Sequence, residues 1–355
     1  MRDIAIIGFA QTQHVRRQPH RNEVEMLMPV LEEVRQRAQV TKHDIGFTCS
    51  GSTDYLAGVG FSFVMTLDGV GPWPPIQESH VEMDGAFALY EAWVKLQLGE
   101  LDCALVYAYS KSSPGPLHEV LSRQLDPYSV APLWPDAISL AALQTRAALD
   151  AGHFTEADMA MVATRSRRDA LDNPNALLKW DRSVDAHLAE EPLVDPLRRS
   201  DCPPITDGAA AIVLAAGDLA RERCERPAWI RGLDHRIDPM ALGNRDLTTS
   251  ASARLAAEKA GAGAGGFDLA EIHAPFSSQE LILRRSMALG EVGDDLAVNP
   301  SGGALSANPI MAAGLIRFGE AAQRIIDGTA GRALAHCTSG PCLQQNLVGV
   351  LEGEN

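Results

Sequence analysis

The fold is decided by two neighbouring stretches, DGAFALYEAWVKLQLG at residues 84–99 and CALVYAY at residues 103–109. The first is apolar on nearly every face of a helix and ends at a glycine, which predicts a buried helix. The second is a short apolar run without charge, which predicts a buried strand. A buried helix that leads directly into a buried strand indicates an α/β protein built on a central sheet.

Strand and helix patterns continue on both sides of this pair. Apolar β-branched or small residues predict further strands, and apolar residues at a helical period predict further helices. The predicted strands are 4–8, 205–215, 229–231 and 269–276, and the predicted helices are 22–39 and 248–260. Because strands alternate with helices along the chain, we expect a mainly parallel sheet.

The order of elements predicts two similar halves. Residues 85–88 and 302–305 each open an apparent buried helix, and each helix leads to a strand, at 103–109 and 333–336. At 355 residues the chain is long enough for two packed units. We therefore expect an N-terminal half at 1–225 and a C-terminal half at 226–355, with their sheets facing inward.

An inserted lobe is predicted within the first half, at about 110–200. Prolines cluster at its start, and a polar, helix-rich stretch follows at 138–188, so we expect this lobe to lie over the sheet. A second proline-rich segment, PWPP at residues 72–75, predicts a stiff loop.

Composition excludes several classes of protein. With 46% hydrophobic and 22% charged residues the chain is of ordinary globular composition. Its formal charge of -15 repels nucleic acid and anionic lipid. The sequence holds no long apolar run and no signal-peptide pattern, which predicts a cytoplasmic protein without nucleic-acid or membrane partners. Six cysteines without paired CxxC spacing predict no metal site.

Several motifs resemble the thiolase superfamily in its sterol-carrier-protein-type branch, and the likeness covers almost the whole chain. Two of them are similar to the thiolase-like "lipid-transfer" proteins of actinobacterial sterol catabolism, a group of steroid side-chain aldolases: ESHVEMD at 78–84 and TSGPCLQQN at 338–346. The superfamily motifs are DGAAA at 207–211, NPSGG at 299–303, the glycine-flanked segment around Cys337, GHFT at 152–155 and NPNA at 173–176.

The resemblance implies a five-layered αβαβα fold and an acyl-CoA substrate, with coenzyme A entering as part of the substrate and no separate cofactor. It further implies a dimer across the first-half sheets, either a homodimer or a heterodimer with a thiolase-like paralogue. Proteins of this group are thought to work with a DUF35-type OB-fold partner that completes the coenzyme A site.

The nucleophile of the superfamily is absent from this sequence. A thiolase needs a cysteine at the N-terminus of the buried central helix, where the helix dipole stabilises the thiolate. The matching position, three residues before Gly85, is Glu82. Glu82 is either a helix cap or a buried base with a raised pKa, and Asp84 is interpreted as a structural partner.

Other superfamily positions are partly retained. By resemblance His273, in HAPF, is the oxyanion donor, Asn308 replaces the activating histidine, and Cys337 keeps the cysteine that serves as acid and base. The alternatives are a backbone-bonded buried histidine and a small buried cysteine. Strand alternation predicts that only one of His336 and Cys337 faces the pocket.

A tight loop close to ligand is predicted at residues 299–303, because glycines permit close backbone approach. The four residues assigned to substrate binding are Asn299, Ser301, Gly302 and Gly303.

Three functions are consistent with these residues. The first is a carbon–carbon lyase that cleaves a β-hydroxyacyl-CoA of a steroid or similar side chain by a retro-aldol reaction, which needs a base and an oxyanion site but no nucleophile. Related aldolases use pocket tyrosines from the C-terminal half, and this chain has no tyrosine after Tyr128, so the base stays open. The second is a catalytically silent supporting subunit of a thiolase-like heteromer. The third, an acyl-CoA acyltransferase, requires the missing cysteine.

Overall fold

The structure, a computed structural model, describes residues 2–71 and 76–354, so the stiff loop predicted at 72–75 lies outside the described residues. The strands are β1 Ile4–Gln11, β2 Phe47–Gly51, β3 Gln77–Val81, β4 Cys103–Ser110, β5 Pro192–Val194, β6 Leu197–Arg198, β7 Gly208–Ala216, β8 Ala228–Ile237, β9 Leu269–Ile272, β10 Ala297–Val298, β11 Arg332–Ser339 and β12 Gln345–Glu352. The helices are α1 Glu23–Arg37, α2 Val64–Val70, α3 Gly85–Gln97, α4 Leu117–Arg123, α5 Ala137–Asp150, α6 Glu156–Asp169, α7 Val184–Leu188, α8 Gly217–Arg223, α9 Ala251–Lys259, α10 Ser277–Ser286, α11 Gly303–Ser306 and α12 Ala313–Ile326.

Two half-sheets share one strand order. The first runs β3-β2-β4-β7-β1 and the second runs β10-β9-β11-β12-β8. In each, the outer three strands are parallel and the last two are antiparallel to their neighbours. The similarity of the halves is therefore confirmed, but the prediction of a mainly parallel sheet is wrong. A five-residue turn joins β11 to β12, and a connection that short permits only an antiparallel pair.

The half-sheets meet at β1 and β8, where Ala5 pairs with Trp229 and Ile6 with Ala228. Helices α3 and α12 pack between the half-sheets, α1 and α8 cover the outer face of the first, and α9 and α10 cover the outer face of the second. This arrangement is the five-layered αβαβα fold expected from the resemblance.

The central helix α3 forms because its sequence suits a position with protein on every side. Asp84 caps its N-terminus, and the apolar residues that follow are buried. A side chain at Gly85 would lie 2.5 Å from the Ala108 Cβ on β4 and 3.0 Å from Leu315 on α12. The absence of a side chain at Gly85 lets strand β4 and the two central helices, α3 and α12, approach one another closely.

The second central helix begins later than its sequence pattern predicts. Gly303 opens only the one-turn helix α11, and the long helix α12 starts at Ala313. The reason is Pro309, because a residue that precedes proline is disfavoured in the helical conformation. The break leaves Asn308 and the N-terminus of α12 at the centre of the molecule.

The inserted lobe packs on helices of the second half rather than directly on a sheet. Its helices α5 and α6 share a core with Phe276, Leu281 and Leu305, which lie before and within α10 and in α11. Among the described residues, each helix is too short or too polar to cross a bilayer.

Candidate active site

Four buried polar side chains meet between the two half-sheets, and we call them the central cluster: Asp84, His273, Asn308 and Cys337. Their exposed fractions are 2, 5, 7 and 0%. Asp84 precedes α3, His273 follows β9, Asn308 precedes α12, and Cys337 lies on β11. Both halves therefore contribute to one site, and the structure brings together three residues predicted from sequence and one, Asp84, that was interpreted as structural.

The Asp84 carboxylate accepts hydrogen bonds from both central helices. The Ala86 N–H of α3 donates to it at 2.9 Å, and the Gly314 and Leu315 N–H groups of α12 donate at 2.8 and 3.0 Å. The N-terminal ends of two helices, each carrying partial positive charge, thus converge on one carboxylate. Burial nevertheless raises the pKa of Asp84 to about 7, against the lowering by these three donors and the Cys337 thiol.

The Cys337 thiol lies between this carboxylate and an imidazole. Its Sγ is 3.8 Å from Nδ1 of His273 and 3.6 Å from the Thr338 carbonyl oxygen, and it lies within 4.8 Å of a carboxylate oxygen of Asp84. Burial, followed by the charge of Asp84, raises the pKa of the thiol well above its usual range, so Cys337 is a neutral thiol and not a thiolate nucleophile. A Cβ at Gly314 would overlap the sulfur.

His273 and Asn308 form the other end of the cluster. Nε2 of His273 donates to Oδ1 of Asn308 at 3.3 Å, which leaves Nδ1 as the acceptor that faces Cys337. Burial, then the nearby His336 and Arg317, lower the pKa of His273 to about 3, so the ring is neutral. Since Nε2 of His273 is engaged by Asn308, the amide hydrogens of Asn308 are the donors that this pair offers, and the assignment of His273 as oxyanion donor stays a prediction.

Cys337 and His336 point to opposite sides of β11, as strand alternation predicts. Cys337 belongs to the central cluster, whereas Nε2 of His336 bonds Oδ1 of Asn346 on β12 at 2.9 Å. Burial lowers the pKa of His336 to about 4, so this histidine is also neutral.

Glu82 does not join the central cluster, and the prediction of a buried base at this position is wrong. Its side chain is 55% exposed, and its carboxylate accepts the Asp54 N–H at 2.8 Å. The helix starts at Gly85, so the cap falls on the residue immediately before it, Asp84. The preference of aspartate for the N-cap position was the signal in the sequence that could have identified Asp84.

The side chains of the predicted ligand loop are engaged within the protein. Asn299 accepts the Ile272 N–H at 2.7 Å and donates to Glu280 at 3.0 Å. Ser301 donates to Glu271 at 2.8 Å. Glu271 and Glu280 are buried carboxylates that need such donors, so Asn299 and Ser301 stabilise the loop, and their assignment to substrate binding stays a prediction.

The two glycines of this loop allow the inserted lobe to approach it. Gly302 has a φ of 93° and Gly303 a φ of 57°, a region that favours glycine. A Cβ at Gly302 would lie 2.6 Å from the Ala170 Cβ, and the Gly302 carbonyl accepts the Ser166 hydroxyl. The close approach expected at these glycines is therefore made by protein.

The ligand atoms of Asp84, His273 and Cys337 lie within 4.8 Å of one another. Carboxylate, imidazole and thiol are donors that zinc accepts. However, the carboxylate already accepts three backbone N–H bonds at the positive ends of two helices, and these ends favour an anion or a shared proton over a cation. The sequence-based expectation of no metal stays a prediction.

The chain is similar in sequence to two kinds of characterised protein, although no protein-family model matches it. It is 30% identical over 218 residues to acetyl-CoA acetyltransferase of Methanothermobacter thermautotrophicus, covering 54% of this chain and 57% of that protein. It is 24% identical over 336 residues to sterol carrier protein 2 of Bos taurus, covering 82% of this chain and 61% of that protein. The matched segments thus span about three fifths of these relatives.

The fold has a close match among solved structures. The Ltp2-ChsH2(DUF35) aldolase superposes with a TM-score of 0.82 and 17% identity, covering 99% of this chain and 97% of that chain. The resemblance predicted from the motifs is confirmed: the chain has the fold of this structure and is similar in sequence to acetyl-CoA acetyltransferase and to sterol carrier protein 2.

Proposed function

We propose that this protein is a carbon–carbon lyase that cleaves a β-hydroxyacyl-CoA by a retro-aldol reaction. One observation carries the proposal: the central cluster retains proton-carrying and hydrogen-bonding groups, but its one thiol, Cys337, is fully buried on β11 and does not stand before the N-terminus of α3, where Asp84 is the cap. Retro-aldol cleavage needs a base and a donor for the enolate oxygen, and it needs no covalent intermediate. Thiolysis needs the thiolate that this site lacks.

The two ends of the cluster suit the two ends of such a substrate. Asn308 can donate its amide hydrogens to the thioester oxygen, where negative charge develops as the enolate forms. His273 fixes the amide by donating to its oxygen at 3.3 Å. Cys337 lies at the opposite end and is the group that meets the β-hydroxyl.

A DUF35-type partner and a steroid or similar side chain belong to the same proposal. The support is the likeness of the fold to a structure described as an Ltp2-ChsH2(DUF35) aldolase. A second thiolase-like subunit would pair with the edge strand β3. Phe63 stacks on His80 of that strand. Phe61, Val64 and Met65, which are close to Phe63 in sequence, are 73, 50 and 39% exposed. An apolar patch of this kind at a sheet edge is typical of a subunit interface.

The test is reconstitution of the complex with its DUF35-type partner, followed by an assay on β-hydroxyacyl-CoA thioesters with linear and cyclic side chains. We expect release of a ketone or aldehyde together with a shortened acyl-CoA, and a large loss of that release in Asn308→Ala. Formation of an acetylated cysteine with turnover of a 3-ketoacyl-CoA would contradict the proposal in favour of an acyltransferase.

A supporting subunit is the second candidate, and the burial of the central cluster favours it. Every member is at most 7% exposed, and the sequence has no tyrosine after Tyr128 to serve as the base of related aldolases. In that case Asn308→Ala in this chain would leave the turnover of the whole complex unchanged, whereas changes in the thiolase-like paralogue would abolish it.

A further inference from the structure

We propose that Asp84 is the proton acceptor of this site and that Cys337 carries the proton between Asp84 and the substrate. The inference rests on the proposed lyase function and identifies the base that related enzymes obtain from tyrosine. It follows from the contacts of Asp84 and Cys337, and from the charges around them.

The position of Asp84 keeps one carboxylate in a fixed orientation. Three backbone N–H groups from α3 and α12 hold it, and Gly314, one of these donors, packs against both the carboxylate and the sulfur. A side chain held from two helices loses little entropy when it acts, which is the condition for efficient proton transfer. Asp84 therefore serves the reaction without moving.

The thiol by itself is a poor base. Its pKa lies well above the usual range, so the thiol is not ionised before the substrate proton arrives. The Cys337 thiol can exchange protons only if a partner group accepts the thiol proton while the sulfur receives a second proton. Asp84 and His273 are the two titratable groups of the cluster that face it.

Charge selects Asp84 over His273 as that partner. A proton on His273 would create a buried cation near Arg317 and His336, both of which oppose it, and near two positive helix ends. A proton on Asp84 instead neutralises a buried anion. With a pKa of about 7, Asp84 can both accept and return a proton near neutral pH.

The proposed step balances without any further reactant. The β-hydroxyl of the substrate gives its proton to the Cys337 sulfur while the thiol proton passes to Asp84. The bond between the α- and β-carbons breaks, the β-carbon becomes a ketone or aldehyde, and the electron pair forms the thioester enolate that Asn308 stabilises. Asp84 then returns the proton through Cys337 to the α-carbon, which regenerates the site.

The first test needs no substrate. In infrared difference spectra of the full-length protein, we expect a protonated-carboxyl band that titrates near pH 7, is lost in Asp84→Asn and persists in Asp136→Asn, which changes the N-cap of α5. The S–H stretch of Cys337, assigned by its loss in Cys337→Ser, should shift in Asp84→Asn. An identical set of titrating carboxyl bands in the wild type and in Asp84→Asn, or an unmoved S–H stretch, overturns the shared proton.

The second test uses the reconstituted complex and β-hydroxyacyl-CoA thioesters. We expect Asp84→Asn to lower kcat about 10²-fold or more with a similar KM and to flatten the pH profile near 7, while Asp136→Asn retains turnover. Full turnover in Asp84→Asn, or its loss in Glu82→Gln, overturns the proposal. If Asp84→Asn does not fold, Cys337→Ala decides, because full turnover without the thiol removes the relay.

The two tests separate this inference from the proposed function. If the wild-type complex shows no lyase activity while the carboxyl and S–H bands behave as expected, the lyase function fails and the shared proton stands. If the wild-type complex cleaves its substrate but the bands do not respond, the relay fails and the lyase function stands.

Discussion

The Gly314 N–H donates a hydrogen bond of 2.8 Å to the carboxylate of Asp84, and this bond joins the N-termini of the two central helices. The helices come from different halves of the chain, and their strands belong to different half-sheets. One side chain therefore links the packing of the halves to the chemistry of the site between them.

Loss of the Asp84 carboxylate should cost more than the loss of an ordinary cap. An N-cap substitution to alanine typically costs about 1 kcal/mol, and Asp84 caps two helices while buried, so we expect roughly 2–4 kcal/mol for Asp84→Ala. Urea denaturation measures the difference. The control is Asp136→Ala, which removes one cap, a bond from the Ser139 N–H at 2.9 Å. Equal losses in the two variants would show that the double cap has no added effect.

The contribution of Asp84 to stability should depend on pH in a defined direction. Its folded pKa of about 7 lies above the unfolded value of about 3.9. The folded state therefore holds a proton that the unfolded state has released, and stability falls as pH rises from about 4 to about 7. We expect the stability of the wild type relative to Asp84→Asn to decline over this range in denaturation curves. A difference independent of pH would contradict the raised pKa.

Acid should destabilise the protein through its buried neutral histidines. Burial lowers the pKa of His273 and His14 to about 3 and that of His336 to about 4. The unfolded chain binds protons at these residues below about pH 6.5, so stability is lost as pH falls from there. We expect His336→Gln to reduce the loss of Tm between pH 6.5 and 4.5. An unchanged slope would mean that other groups govern the acid limb.

Cys337 should resist both alkylation and acylation. The thiol is fully buried and neutral at physiological pH, so we expect no iodoacetamide adduct at Cys337 in the native protein and no acetyl adduct after incubation with acetoacetyl-CoA. Mass spectrometry of peptides reads both, and the denatured protein provides the positive control. An acetyl adduct at this position in the native protein would restore the acyltransferase hypothesis.

The apolar patch beside β3 should mediate pairing of subunits. Phe61 is 73% exposed and lies two residues before Phe63, which stacks on His80 of this edge strand, so we expect Phe61→Asp to weaken a dimer measured by light scattering at micromolar concentration. Leu98→Asp is the control, since Leu98 is 65% exposed at the end of α3. A monomeric wild-type protein, or an equal effect of the two variants, would count against pairing at this edge.

Sequence patterns predict which segments form buried helices and strands better than they predict how the strands pair with one another. The apolar run at 84–99 and the small-residue run at 205–215 correspond to α3 and β7 because each carries its own periodicity. Strand direction was mispredicted because β4 pairs antiparallel with β7, which follows the inserted lobe. Nothing local to either strand encodes that pairing.

The site was predicted in part for a related reason. The motifs identify His273, Asn308 and Cys337. They select Glu82 as the site carboxylate instead of Asp84, two residues away, because they do not show where the helix starts. The start of the helix decides which of the two carboxylates faces inward. The sequence does not predict that Asn299 and Ser301 hydrogen-bond Glu280 and Glu271, because these carboxylates lie on other elements of the chain.

Gly314 contributes to a sequence signature by which this site can be recognised in other proteins. A side chain there would meet both the Cys337 sulfur and the Asp84 carboxylate, so substitution is incompatible with this arrangement of the two groups. An aspartate directly before the central-helix glycine, a glycine in the first turn of the second central helix and a cysteine on the following strand therefore form a signature. Thiolase-like sequences that carry all three are expected to place a carboxylate and a thiol side by side between the two central helices, before any of them is purified.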